Sequence, residues 1–97
     1  MTTAILKKAA SQFRLTEDQV LEEGIKAFLQ SQLRVLEAER RSIFAKYGVN
    51  TLEELDEYLG DRPDQESENL ENLQRADYLT DQVFEIRSML EDLNGRD

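Results

Sequence analysis

A long, uninterrupted helical pattern constrains the fold of this chain more than any other feature of its sequence. It runs from Glu17 to Tyr47, and the segment Leu15-Thr16-Glu17-Asp18-Gln19 stands at its start. Thr16 and Gln19 have the spacing of a capping box, in which each side chain binds the other residue's backbone N–H. Gly48 can adopt the left-handed conformation that ends many helices. The pattern predicts one helix over residues 17–47, about 46 Å long at 1.5 Å per residue.

Apolar residues recur along this helix at three- and four-residue spacing, which is typical of a helix packed on one side. Arg40 interrupts the pattern, and a charge there must be paired or reach outward. We expect it to pair with Asp77 or Asp81 and fix the register of two helices; the alternative is contact with a partner. Gly24 is expected to let the first helix approach closely. The predicted apolar positions are Leu21, Ile25, Phe28, Leu29, Leu33, Leu36, Ile43 and Tyr47.

A second long helix is predicted over residues 68–93, with a heptad-like apolar seam that Asn94-Gly95 ends. Its seam residues are Leu70, Leu73, Ala76, Leu79, Val83, Ile86, Leu90 and Leu93. Two long helices joined by a compact connection favour an antiparallel hairpin, so the expected fold is all-α.

Two short helices complete the expected domain, which covers residues 1–97. The first is predicted over 4–13, with Thr3 as its N-cap, and the other over 52–59, where Thr51 and Glu54 form a capping box. Residues 61–67 are polar and include Pro63, so they predict a flexible loop.

The hairpin alone would leave outer aromatic residues in water, and a homodimer would bury them. Phe44, Tyr58, Tyr78 and Phe84 are the residues concerned. We therefore expect two hairpins to pair as a four-helix bundle; a monomer whose short helices cover the hairpin is the alternative. The expected core or dimer seam comprises Leu29, Leu33, Leu36, Arg40, Ile43, Leu79, Val83, Ile86 and Leu90.

The chain lacks the side chains on which most enzymes depend. It has no cysteine and no histidine, which excludes thiolate and imidazole ligands, thiol nucleophiles and histidine bases. We expect no enzymatic activity, cofactor or metal. A magnesium-dependent all-α hydrolase is a weaker alternative, because Asp77, Asp81 and Glu85 share one side of a helix and Glu54-x-x-Glu57 pairs two carboxylates. Apolar runs are too short for a signal peptide or a membrane span, so a cytoplasmic location is expected.

Charge is divided unevenly between the halves of the chain. The net charge is −9, but residues 1–50 carry eight basic and six acidic residues, whereas residues 51–97 carry four and fifteen. The acidic half suits a basic partner, unless it is simply a solvated surface. A mild basic face on the first two helices, in a helix–turn–helix outline, raises the alternative of nucleic-acid contact. Its residues are Lys7, Lys8, Arg14 and Lys26.

Four segments resemble small all-helical antitoxins of prokaryotic type II toxin–antitoxin pairs, in particular short archaeal and cyanobacterial proteins. The segments are residues 5–10 (ILKKAA), 15–24 (LTEDQVLEEG), 46–55 (KYGVNTLEEL) and 68–73 (ENLENL).

The resemblance implies a non-enzymatic protein that neutralises a basic, ribonuclease-like toxin through its acidic half and binds its own operator as a dimer. Carboxylates would take the place of RNA phosphates, and apolar anchors would prolong the complex. The implied contacts are Glu53, Glu54, Leu55, Asp56, Glu57, Tyr58, Leu59, Asp61 and Asp64. A structural or scaffolding homodimer of unknown partner is the alternative from another class.

Overall fold

The fold is all-α, as the sequence predicts, throughout residues 2–60 and 67–95, which the structure, a computed structural model, describes. The elements are α1 (Thr2–Phe13), α2 (Glu17–Tyr47), α3 (Leu52–Gly60) and α4 (Ser67–Asn94). The bounds of α2 agree with the prediction. Helix α1 begins two residues early, so Thr3 lies inside it and does not cap it. Ser67 belongs to α4 and not to a loop, and residues 61–66 of that predicted loop lie outside the described residues.

Local signals explain where α2 begins and ends. Thr16 Oγ1 accepts a hydrogen bond from the backbone N–H of Gln19 at 3.0 Å, and Gln19 Oε1 accepts one from Thr16 N–H at 2.8 Å. At the other end Gly48 has φ 67°, and its N–H donates to Ala45 O at 3.2 Å. The capping box and the left-handed glycine satisfy backbone groups that a helix end otherwise leaves open.

Helices α2 and α4 form an antiparallel hairpin, which confirms the predicted packing. Lys46 meets Glu68 near one end, Arg40 meets Thr80 farther along, and Glu37 meets Arg87 beyond that. We call the end at which α2 leads into α3 the closed end, and the other the open end. The chain is elongated, with extents of 61 × 28 × 16 Å.

The predicted seam lies inside this one hairpin. Leu29, Leu79, Val83 and Ile86 are buried. Half-buried positions are Leu33, Leu36, Arg40, Ile43 and Leu90. Because one chain already uses these residues, a dimer would need another face.

A compact hydrophobic cluster closes the hairpin at its closed end. Leu55 of α3 is fully buried with Phe44 of α2 and Ala76 of α4. The burial of Phe44 corrects the expectation that it lies on the outer surface. Tyr78 and Phe84, by contrast, are 50% and 71% exposed, as predicted. Around the cluster pack Ile43, Tyr47, Val49, Leu52, Leu59 and Leu73.

Both predicted apolar stripes are wrong at their N-terminal ends. Leu70 is 56% exposed and Phe28 is 61% exposed. The error at Leu70 comes from repeated three-residue steps, each of which falls about 60° short of a full helical turn. Three such steps separate Leu70 from Leu79, so the two side chains lie on about opposite sides of α4. In α2 each four-residue step from Leu21 turns about 40° more than a full helical turn, so the stripe rotates around the helix in the opposite direction.

Gly24 also departs from its predicted role. A Cβ atom added there would meet nothing within 4 Å. Close approach of α1 therefore does not require glycine at this position.

Leucine-to-alanine substitutions on α4 test the observed phase of the stripe. Leu79→Ala is expected to lower the free energy of unfolding by about 2–5 kcal/mol, because it leaves a cavity in the core. Leu70→Ala, at an exposed position, should cost less than about 1 kcal/mol. Urea unfolding followed by circular dichroism measures both, and equal losses would contradict the observed orientation of α4.

Candidate protein-binding surface

Helix α3 begins with a cap that orients its acidic residues. Thr51 Oγ1 accepts a hydrogen bond from Glu54 N–H at 3.0 Å, and Glu54 Oε1 accepts one from Asn50 N–H at 3.1 Å. The carboxylate of Glu54 therefore stabilises the start of the helix. Since Leu55 points into the core, Glu53, Asp56 and Glu57 remain on the exposed side.

An open groove of about 380 Å³ lies between α3 and α4. We call it the acidic groove. Its carboxylates come from both helices, with Glu53 and Asp56 on α3 and Asp77 on α4. Half-buried Leu52 and Leu73 supply its apolar lining, and Gln74 completes the wall. The groove can accept a cationic group that carries an aliphatic stem.

Several predicted partner contacts lie elsewhere. Leu55 has no exposed surface, so its prediction as an apolar anchor for a partner is wrong. Tyr58 and Leu59 are half-buried: the Tyr58 ring lies edge-on to Tyr47, with ring centres 5.8 Å apart, and Leu59 packs on the core cluster. The predicted contacts Asp61 and Asp64 lie outside the described residues.

The groove includes residues that the predicted partner surface omitted. Leu73, Gln74 and Asp77 belong to α4 and are separated from α3 along the chain. The sequence placed Leu73 in an internal seam and treated Asp77 as a partner for Arg40. Only the docking of α3 brings these residues beside Glu53 and Asp56, and no local spacing encodes that docking.

Arg40 has a different neighbour from the predicted one. Its Nη1 donates a hydrogen bond to Thr80 Oγ1 at 3.4 Å, and its guanidinium lies 6.0 Å from the centre of the Phe44 ring. Thr80 Oγ1 in turn donates to Ala76 O at 2.8 Å. The expected ion pair with Asp77 or Asp81 does not form, but the contact still links α2 to α4.

Ion pairs along the hairpin hold charged side chains in defined positions. Arg75 donates to both carboxylate oxygens of Glu39, at 2.6 and 2.9 Å. These hydrogen bonds lower the pKa of Glu39 and raise that of Arg75. Lys46 Nζ lies 2.7 Å from Glu68 Oε1, and this hydrogen bond raises the pKa of Lys46 and lowers that of Glu68.

A model of one protein family matches residues 1–97 of the chain. The chain belongs to the uncharacterized protein MJ0235 family. No curated protein and no solved structure is significantly similar to it. The family description specifies neither a ligand nor a reaction.

The predicted basic residues of this family member include one that lies beside carboxylates. Lys7 and Lys8 are exposed on α1, and Arg14 is exposed in the α1–α2 turn with φ 57°. Half-buried Lys26 shares a recess with Glu22 and Glu23. Those carboxylates would repel a phosphate at Lys26, and nucleic-acid contact stays a prediction.

Within residues 2–60 and 67–95, no three acidic side chains come together in a way that could hold a metal ion. None of the helices there combines the length and apolar character needed to span a membrane.

The lowered pKa of Glu39 predicts a pH-dependent contribution to stability. Its pKa is lower in the folded chain than in the unfolded chain, so the Arg75 pair stabilises the fold above the unfolded value of about 4.5. That contribution is lost as pH falls through the lowered pKa. Glu39→Gln should therefore reduce the melting temperature most at pH 7, and the difference from the wild type should narrow as the pH falls below about 4.5.

Thermal unfolding across that pH range checks this prediction, with Glu91→Gln at an exposed position of α4 as the control. The control should differ little from the wild type at every pH. If Glu39→Gln lowers the melting temperature by the same amount at every pH, the pair does not titrate as described.

Proposed function

We propose that the chain is a non-enzymatic, antitoxin-like protein that binds a basic protein partner in the acidic groove, in the cytoplasm. The observation that carries this proposal is the groove itself, in which Glu53, Asp56 and Asp77 border an apolar lining from Leu52 and Leu73. A solvated acidic surface needs no such apolar lining.

The composition of the groove favours lysine or arginine side chains of a protein partner. Their aliphatic stems can lie along the two leucines while the charged ends reach the carboxylates. Arginine in particular can donate two parallel hydrogen bonds to one carboxylate. Leu52 and Leu73 line the groove, whereas Tyr58 and Leu59 do not, so Leu52 and Leu73 take the role of apolar anchors.

Charge in the surrounding chain supports association with such a partner. The acidic second half, with fifteen acidic and four basic residues, attracts a cationic protein over distances limited by salt screening. In a ribonuclease-like toxin, the basic cluster that binds RNA phosphates would then bind the groove carboxylates, and substrate would be excluded. Long-range attraction chiefly raises the association rate, whereas desolvated contacts prolong the complex.

A structural scaffold is the second candidate function. The rod-like shape, 61 Å along its longest axis, favours it because such a hairpin can separate two binding surfaces. A scaffold would not need to block the activity of its partner, so inhibition distinguishes the two candidates.

Charge reversal within the groove tests the proposed function. The variant Glu53→Lys, Asp56→Lys, Asp77→Lys leaves the Glu54 cap intact. Its affinity for a basic, toxin-like protein encoded beside the gene should fall by about 100-fold, from roughly 1 kcal/mol at each of three exposed charges. Calorimetric titration measures the affinity, and an RNA-cleavage assay measures inhibition.

A matched control reverses three exposed carboxylates in the second half of α4, away from the groove: Glu85→Lys, Glu91→Lys, Asp92→Lys. It changes net charge equally but leaves the groove unaltered, so the affinity should fall much less. Equal weakening by both variants would mean that net charge, and not the groove, governs binding. Unchanged binding by the groove variant would refute the proposed site.

A further inference from the structure

An exposed, uncharged face runs along α2 near the open end of the hairpin. We call it the open-end face. Leu21 and Ile25 are each 49% exposed, Phe28 is 61% exposed, and Val35 is 58% exposed. No charged residue interrupts the three- and four-residue steps that connect them. In chain order the face consists of the exposed residues Leu21, Gly24, Ile25, Phe28 and Val35, with half-buried Gln32 between the last two.

Gly24 gives this face an unusual shape. Apart from proline, glycine is the poorest residue for a helix interior, and a Cβ atom at Gly24 would meet nothing within 4 Å in the chain. Together with Leu21, Ile25 and Phe28 it occupies positions i, i+3, i+4 and i+7. Four residues at this spacing form the hole that accepts a side chain from a facing helix. Glycine at one corner lets a facing helix approach closely at that point.

The chain exposes more surface than a compact monomer of the same mass. The accessible surface is 7486 Å², whereas a compact monomer of 11.3 kDa exposes about 5,700 Å². The excess is greater than the roughly 800 Å² that each partner contributes to a standard interface. The radius of gyration is likewise 19.3 Å, against about 12.5 Å for a compact domain of this length.

The spacing of the exposed side chains favours a second copy of this chain as the occupant. Leu21 and Val35 each lie seven residues from Phe28. An axis of two-fold symmetry near Phe28 would therefore set Leu21 of each copy against Val35 of the other and bring the two Phe28 rings together. A two-fold interface requires this kind of self-complementary surface. The absence of charge on the face gives a strongly charged partner nothing to recognise.

We propose that the open-end face binds the same face of a second copy, with the two α2 helices antiparallel across an axis near Phe28. The two Phe28 rings meet at the axis, Gly24 of each copy lies opposite Gln32 of the other, and the two hairpins together make a four-helix bundle. This dimer does not rest on the proposed binding of a basic partner, since the acidic groove lies at the closed end.

Arginine at position 24 tests the dimer without disturbing the fold. In Gly24→Arg the new Cβ atom meets nothing within 4 Å in its own chain, and arginine favours helix more than glycine does. Sedimentation equilibrium of the full chain at micromolar concentration should give the mass of two chains for the wild type and of one for Gly24→Arg. Ala38→Arg, which adds the same side chain at another exposed position of α2, should remain dimeric.

A wild-type chain that sediments as a monomer, or a Gly24→Arg variant that stays dimeric, overturns the proposal. Circular dichroism verifies that each variant is folded, and Gly24→Ala provides a second variant that should raise helix stability while weakening association. A basic partner should still bind Gly24→Arg, so failure of the dimer and failure of the acidic groove give different results.

The absence of cysteine from the chain permits a test of orientation. In a mixture of Leu21→Cys and Val35→Cys chains, the antiparallel arrangement predicts disulfides between the two different variants. Disulfides formed only between identical variants would indicate parallel helices and contradict the proposed axis.

Discussion

The packing of Leu55 against Phe44 and Ala76 is the interaction on which the closed end of the molecule depends. A helix as short as α3 is not stable alone in water, so burial of Leu55 has to hold it in place. The small side chain of Ala76 leaves space for that burial on α4. The acidic groove follows from this contact, because α3 supplies one of its two walls.

The helix bounds could be predicted because local side chains determine them. Thr16 and Gln19 make the expected reciprocal hydrogen bonds, and Gly48 adopts the expected left-handed backbone. These contacts lie within one turn of the helix ends, so no knowledge of the tertiary structure is needed. The hairpin followed from the lengths of α2 and α4 and the compact connection between them.

Tertiary packing determines the features that sequence reasoning could not locate. A stripe of three-residue steps rotates around its helix, which moved Leu70 from the predicted seam to solvent. Leu52, Leu55 and Leu59 recur at three- and four-residue spacing, yet among these three only Leu55 is fully buried. The angle at which α3 approaches the hairpin turns Leu55 toward the core. Asp77 and Leu73 enter the groove for the same reason. The position of Arg40 was predicted as a contact between helices, but its partner is a hydroxyl group and not a carboxylate.

The two ends of the hairpin have different surface chemistry. At the closed end three helices enclose the core cluster, and carboxylates border the adjacent groove. Near the open end α2 leaves apolar side chains and an uncovered glycine in solvent. A basic partner at the closed end and a second copy at the open end would occupy separate surfaces, so the two proposed interactions are compatible in one complex.

Residue-resolved amide hydrogen exchange tests most directly whether Leu55 joins α3 to the hairpin in one cooperative unit. If it does, the protected amides of α3 that follow Leu55 exchange only with global unfolding, at the same free energy as those around Leu79 in α4. The account would be contradicted if the α3 amides exchanged at a free energy several kcal/mol lower than those around Leu79, near that of frayed helix ends. Such a result would mean that α3 opens independently and that the acidic groove has no fixed wall.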